Sequence, residues 1–248
     1  MESASSKSAF LTARWKYLLM ANYAINPSVL KPYVPQATEL DYFQGKTYVS
    51  IVGFRFLDTK VLGIPVPFHR DFTEVNLRFY VRYRSSEGWR RGTSFISEIV
   101  PKPAIAWIAN LVYREHYAYA PTQYWIDHQE DELSIEYQWE KGVNRGSNHN
   151  FIMATAQPQA QPLVAGSIEE FIAQHYWGYN AYSEKTTLEY GVEHPAWSYF
   201  QVTSFEANYH TQALYGSAFV PYLEREPDSV FIADGSDIIV RQGSKIRL

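Results

Sequence analysis

Cysteine is missing from all 248 residues. That excludes disulfides, thiolate metal sites and a cysteine nucleophile. No run of about 18 apolar residues offers a membrane-crossing helix, and the opening MESASSKSAF is small and polar, without the apolar stretch of a secretion signal behind it. Basic charge is scarce: 22 Lys and Arg against 26 Asp and Glu leave a net charge of −4. Nucleic acid or an anionic membrane would find no basic field. Arg78, Arg82, Arg84, Arg90 and Arg91 form the one basic cluster, interleaved with aromatics but confined to a single hairpin. No G-x-G-x-x-G, P-loop, G-x-S-x-G or H-E-x-x-H occurs. The seven histidines lack close metal-ligand spacing, so a metal site would have to assemble from distant strands. The expectation is a cytoplasmic protein without metal or cofactor that takes a small organic ligand, not nucleic acid or membrane. A homo-oligomer is left open.

Aromatics are abundant, 17% of the chain with 20 Tyr, which favours strands and suits the walls of a ligand cavity as well as a packed core. Residues 1–9 read as a disordered lead and 10–248 as a single domain. LTARWKYLLMANYAI (11–25) reads as a long strand, after which Pro27 opens a short helix behind Asn26. LDYF, QGK and TYVSIVGFRFLD make a hairpin pattern with Gly45 in the turn. PAIAWIANLVYREHY (103–117) has a wide apolar stripe at helical spacing, including Trp107, and predicts a mostly buried helix. DELSIEYQW (131–139) and NFIMATAQ (150–157) predict further strands. GSIEEFIAQHY carries a capping box of Ser167 and Glu170. KTTLEYGV, WSYFQVTSFEAN and SVFIADGSDIIVRQG predict the last strands. Regular alternation of strand and helix is absent, so a doubly wound parallel sheet does not fit. The pattern predicts a mainly β (α+β) protein: an antiparallel sheet, closed or strongly curved, with two or three packed helices.

DFTEVNLRFYVRYR (71–84) raises the functional question. Thr73, Val75, Leu77, Phe79, Val81 and Tyr83 make one largely apolar face; Phe72, Glu74, Asn76, Arg78, Tyr80, Arg82 and Arg84 make the other. The second face either meets bulk water or turns into an enclosed polar pocket. In the first case Glu74 and Arg78 join cross-strand ion pairs. In the second they form a polar cluster, Arg78 as an anion clamp and Glu74 as a base, bridged by Asn76.

LDYFQGKTYVSIVGFRF, FTEVNLRFYVR, GSIEEFIAQHYWGY and EHPAW, in that order, resemble the YqjF-like family of uncharacterised conserved proteins, known as domain of unknown function 2071. That family is placed in the acetoacetate decarboxylase-like superfamily. The resemblance implies a cone-shaped antiparallel β-barrel with a central cavity, and it implies that Glu74 faces that cavity. Lys16 falls nearest the place of the decarboxylase's active-site arginine. Where the decarboxylase has its G-x-P-K, with the Schiff-base lysine, this chain reads YREHYAYA, so Tyr117 stands at the lysine's place and His116 at the proline's. A phenol cannot form a Schiff base, and a shared fold does not carry the reaction with it.

Two functions follow as expectations. One is an enzyme of lyase or hydrolase type using acid–base chemistry on a small carbonyl or carboxylate compound, with Glu74, His116 and Tyr117 as catalytic candidates and Arg78, Asn76 and Lys16 as ligand-binding candidates. The other is a non-catalytic binding or sensing module built from the same residues. Lys102, in VPKP, reads as an exposed loop residue, and His194, before Pro195 in EHPAW, as a structural hydrogen-bonding residue.

Overall fold

The structure, a computed structural model, describes residues 7–65, 67–104, 107, 110, 116–141 and 150–247. Sixteen strands are formed among these residues: β1 (Ala9–Ile25), β2 (Thr38–Leu40), β3 (Thr47–Val61), β4 (Ile64–Pro65), β5 (Phe72–Ser85), β6 (Gly88–Val100), β7 (Tyr117–Tyr119), β8 (Thr122–His128), β9 (Leu133–Trp139), β10 (Asn150–Ala156), β11 (Gln161–Pro162), β12 (Trp177–Ser183), β13 (Thr186–Glu193), β14 (Ser198–Asn208), β15 (Ser229–Arg241) and β16 (Ser244–Arg247). The main path of the sheet runs β16-β13-β12-β6-β5-β3-β1-β15-β14-β10-β9-β8. Pairing is antiparallel except where β6 meets β12 and β7. Val192 and Glu193 of β13 also pair with Val240 and Ile239 of β15, which links strands that lie far apart on that path.

The long strands are buried on both sides over Leu18–Tyr23 of β1, Thr47–Phe54 of β3 and Phe72–Val81 of β5. Val75, Leu77, Phe79 and Val81 of β5 join a core to which β9 and β10 contribute Ile135, Tyr137, Trp139, Ile152 and Ala154. Strands β9 and β10 alternate buried and half-buried residues without a break, as sheets covered on one face do. The opposite side of β5 carries Phe72 and Tyr80 into a second core with Leu18, Met20, Phe54 and Phe56, closed by Phe171 and Ile172 of the helix Ile168–Ala173. Ser167 caps that helix, accepting from the Glu170 N–H at 3.1 Å, while the Glu170 carboxylate reaches back to the Gly166 N–H at 2.7 Å. The expected box is therefore shifted by one residue on its return arm.

Several expectations change. The helix Pro27–Leu30 does follow Asn26, whose side chain accepts from the Ser28 N–H. Strand β2 pairs with β5 and not with β3; only Phe43 and Lys46 bridge around Gln44 and Gly45, both at positive φ. The Asp41 backbone N–H is drawn to the Tyr80 carbonyl instead. Of the helix expected over 103–117, Pro103, Ala104, Trp107 and Asn110 are helical, while 105, 106, 108, 109 and 111–115 lie outside the described residues. Trp107 is exposed, and Tyr117 belongs to the short strand β7 beside β6. Asn110 accounts for that: its side chain donates to the Tyr117 carbonyl and accepts from the Tyr117 N–H, both at 2.9 Å. Strands β8 and β12 were not expected. The polar lead lies outside the described residues as far as residue 6, and Ala9 is already in β1. No helix among the described residues is long and apolar enough to cross a membrane.

Candidate functional site

A cavity of about 150 Å³ opens against the inner faces of β1, β3, β5 and β6. Its walls are largely aromatic, with Trp15, Phe54, Phe56, Phe72, Phe95 and Trp197. Set into them are Glu74, Asn76, Arg78, Glu98, Tyr117, His175 and His194. A volume of this size accommodates a molecule of roughly six heavy atoms.

Two β-bulges aim the strands. In β1 the pairing to β3 slips between Lys16 and Leu19, with Tyr17 at φ +54°. Trp15 and Leu18, three residues apart, therefore both line the cavity. In β6 the pairing to β5 slips between Leu77↔Ser97 and Arg78↔Phe95. Phe95 and Glu98, again three apart, both line the cavity, and Glu98 stands opposite Asn76.

Glu74 is 2% exposed. Asn76 Nδ2 donates to its Oε1 at 2.9 Å, and the Tyr117 hydroxyl donates to its Oε2 at 2.8 Å. Burial pushes the Glu74 carboxyl up to about 7, against the opposing pull of those two hydrogen bonds and of the Arg78 charge. It therefore changes protonation near neutrality, where a general acid or base is most effective.

Arg78 is 8% exposed. Its Nε donates to the Tyr80 hydroxyl at 3.4 Å; Tyr80 and Ser50 share a 2.6 Å hydrogen bond, and Ser50 donates to Asn22 Oδ1 at 2.5 Å. The direction of the chain is thereby set from the arginine outward. The Nη2 group meets the Met20 thioether at 3.6 Å, a weak acceptor. Among the described residues no carboxylate lies within 4.0 Å of the Arg78 guanidinium, whereas Arg82, Arg90 and Arg91 are paired with Glu39, Glu189 and Asp41. The basic cluster of the sequence is thus divided: most of it is neutralised, and Arg78 alone of the five lines the cavity.

His175 and His194 complete the polar lining. Burial holds both imidazoles down at about 4, so both are neutral near pH 7. His194 Nδ1 donates to the Pro195 carbonyl at 2.8 Å, and its ring stacks on Trp197 with centroids 4.1 Å apart. The hydrogen-bonding reading of His194 fits that contact, yet the same ring is part of the cavity wall. His175 Nε2 lies 3.4 Å from Asp41 Oδ2, and its ring packs on Tyr80 at 4.6 Å.

Of the expected site residues, Glu74, Asn76, Arg78 and Tyr117 all line the cavity. His116 and Lys16 do not. His116 is exposed and contributes its carbonyl, which accepts from the Glu98 N–H; the pairing of β7 to β6 turns the neighbouring Tyr117 inward. Lys16 falls on the face of β1 opposite Trp15, where its ammonium pairs with Asp234 at 2.6 Å. Neither of these residues, and no lysine among the described residues, lines the cavity. Glu98 and His175 were missed. Plain alternation through β6 would place Ser97 inward, so the bulge hides Glu98, and His175 follows a helix end with no pattern of its own.

Solved structures share this fold. Acetoacetate decarboxylase from Legionella pneumophila superposes with a TM-score of 0.66 at 16% identity, over 96% of this chain and 88% of that one. An acetoacetate decarboxylase-like enzyme from Sphingomonas wittichii RW1 gives 0.64 at 11%, over 97% and 94%. The enduracididine biosynthesis enzyme MppR, complexed with pyruvate, gives 0.62 at 8%, over 97% and 91%. In sequence, 75 residues are 35% identical to the uncharacterized protein YqjF of Bacillus subtilis, a stretch covering 30% of this chain and only 31% of that relative. The model of domain of unknown function 2071, described as an uncharacterized conserved protein, matches residues 12–237. Because that match runs through nearly every strand that builds the cavity, the chain belongs to the domain of unknown function 2071 family.

Proposed function

We propose that the cavity binds a small organic carboxylate or carbonyl compound, with Arg78 holding its charged end and Glu74, with Tyr117, exchanging a proton with it. The observation that carries this reading is the Arg78 guanidinium, buried in the cavity wall without a carboxylate within 4.0 Å among the described residues. A buried charge with no carboxylate in direct contact costs about several kcal/mol, and an anionic ligand would offset that cost while making paired hydrogen bonds to the planar cation. We read the β13–β15 pairing as closing β13, β12, β6, β5, β3, β1 and β15 into a barrel around the cavity. The pyruvate complex of MppR supports a small carboxylate as a ligand for this fold.

The chemistry would run without a Schiff base, because the cavity lining includes no lysine among the described residues and Tyr117 occupies the place that the resemblance assigns to that amine. Glu74, titrating at about 7, is suited to take a proton from a carbon or oxygen beside the ligand's carbonyl, and the Tyr117 hydroxyl to follow that charge. A non-catalytic ligand-binding module is the second reading, favoured by the same missing amine. Calorimetry and turnover assays on Glu74→Gln and Arg78→Met separate the two. Arg78→Met should abolish binding of small carboxylates. Glu74→Gln should keep binding, and it should abolish turnover if the protein is an enzyme. Unchanged carboxylate binding in Arg78→Met would end the proposal.

A further inference from the structure

We propose that the ligand is a small hydroxy acid, its carboxylate on Arg78 and its single hydroxyl proton donated to the lone pair of His175 Nδ1. This rests on the reading of Arg78 as the anion-binding group and adds what the rest of the cavity asks for. The lining residues carry several buried polar atoms without a hydrogen-bond partner among the described residues: His175 Nδ1 and Nε2, Asn76 Oδ1, the Thr59 hydroxyl and the Trp15 indole N–H; of these, His175 Nδ1 and Asn76 Oδ1 are pure acceptors.

The acceptor character of each follows from its neighbours. Asn76 gives Nδ2 to Glu74, which leaves its oxygen as the open end of the amide. Asp41 is fixed by Arg91 Nε at 2.6 Å and by the Tyr42 N–H at 3.0 Å. Burial alone would push its carboxyl up, but the contacts with His175 and Arg91 outweigh that and hold it below the usual range. His175 Nε2 makes no aligned hydrogen bond, but the Asp41 carboxylate 3.4 Å away favours a proton on that nitrogen by its charge, and Nδ1 is then a lone pair. The His175 side chain is 1% exposed, and Tyr80 and Phe171 hold the ring at 4.6 and 5.2 Å. The ring is therefore fixed before a ligand arrives.

An ionised plain acid or keto acid offers these two atoms nothing, since its oxygens are all acceptors. A hydroxy acid offers one O–H. A site whose buried polar groups are satisfied by one ligand and left open by another discriminates strongly between the two.

The test is calorimetric titration of the full chain at pH 8, where the acids are ionised, with lactate, pyruvate and propionate as one set and 3-hydroxybutyrate and butyrate as another. In at least one set the hydroxy acid should bind about tenfold more tightly than its partners, as one added hydrogen bond gives. His175→Phe keeps an aromatic ring but removes the acceptor, and should reduce that preference while leaving the plain acid's affinity. Equal binding of hydroxy, keto and plain acids, all lost in Arg78→Met, would overturn the hydroxyl and leave the anion site standing. No binding by any acid would overturn both. Nitrogen NMR of the histidines gives a readout that needs no variant: His175 should carry its proton on Nε2 and shift at Nδ1 when the hydroxy acid is added. A proton found on Nδ1 of the free protein would overturn the proposal.

Discussion

Asn76 donates to Glu74 across 2.9 Å from two positions along the same strand and goes no further: Arg78, two positions beyond it, turns instead to Tyr80 at 3.4 Å. The acid and the cation of this face are therefore held by separate partners, and neither neutralises the other by direct contact. That separation leaves Glu74 able to gain a proton near neutral pH while Arg78 stays charged.

The pH dependence of stability should carry the Glu74 signature. An unfolded glutamate titrates at about 4.3, and the folded one at about 7. The folded state holds the proton more tightly, so the contribution is complete below the unfolded value and is lost as pH rises through 7. The loss is on the order of 3 kcal/mol by that difference. His175 and His194 act in the opposite sense, because their folded values are depressed to about 4: they cost stability as pH falls from about 6.5 toward 4. Urea unfolding of wild type and Glu74→Gln at pH 5 and pH 8 isolates the glutamate, since the histidines are common to both. The wild type should lose more stability than the variant on going to pH 8. Parallel behaviour would mean that Glu74 is ionised in the folded protein throughout.

Tyr117→Phe should move the Glu74 titration further upward. The tyrosine hydroxyl favours the charged carboxylate through its 2.8 Å bond, so removing it withdraws about 1–2 kcal/mol of preference for the ionised form. Carbon NMR of the Glu74 carboxyl across pH 5–9 reads the change. A downward movement would show that the phenol favours the neutral acid.

Arg78→Met should leave the protein as stable as wild type or more stable by about 1 kcal/mol, in contrast to most buried-charge deletions. Those deletions are costly when a partner charge is left behind, and here no carboxylate lies within 4.0 Å of the arginine among the described residues. A methionine also fits beside the Met20 thioether that now receives Nη2. Thermal unfolding decides: a fall of more than about 5 °C would reveal a structural role for the guanidinium.

The sequence shows where the acid and the cation are, because β5 alternates without interruption and both of its faces can be read. It is silent where the backbone breaks period. The bulge at Tyr17 turns Lys16 away to Asp234 and brings Leu18 inward. The bulge in β6 brings in Glu98 in place of Ser97. His175 gains its position only through the tertiary pairing with Asp41, 134 positions away by numbering. The resemblance put Tyr117 at the place of the decarboxylase's lysine, at a helix end; in the structure it is a strand residue whose hydroxyl donates to Glu74, because the Asn110 clamp is a side-chain contact that no periodicity encodes.

Gly53 ties these parts together, and its replacement should be costly. It sits in β3 opposite Val75 of β5 and Leu19 of β1. A Cβ there would lie 2.5 Å from the Tyr137 ring. Tyr137 is buried between the sheet layers and donates its hydroxyl to the Tyr17 carbonyl at 2.8 Å, at the bulge that turns Trp15 and Leu18 into the cavity. Gly53→Ala must displace that ring, with an overpacking cost of about 1–3 kcal/mol. At about 2–4 °C per kcal/mol for a chain of this size, the melting temperature should fall by several degrees. Tyr137→Leu alone should also destabilise, by removing buried area and the hydroxyl. The double variant should be less destabilised than the sum of the two, because the smaller side chain makes room for the methyl group. Strict additivity would show that the close approach of Gly53 and Tyr137 does not shape this layer, and would remove the link between the core packing and the strand bulge that lines the cavity.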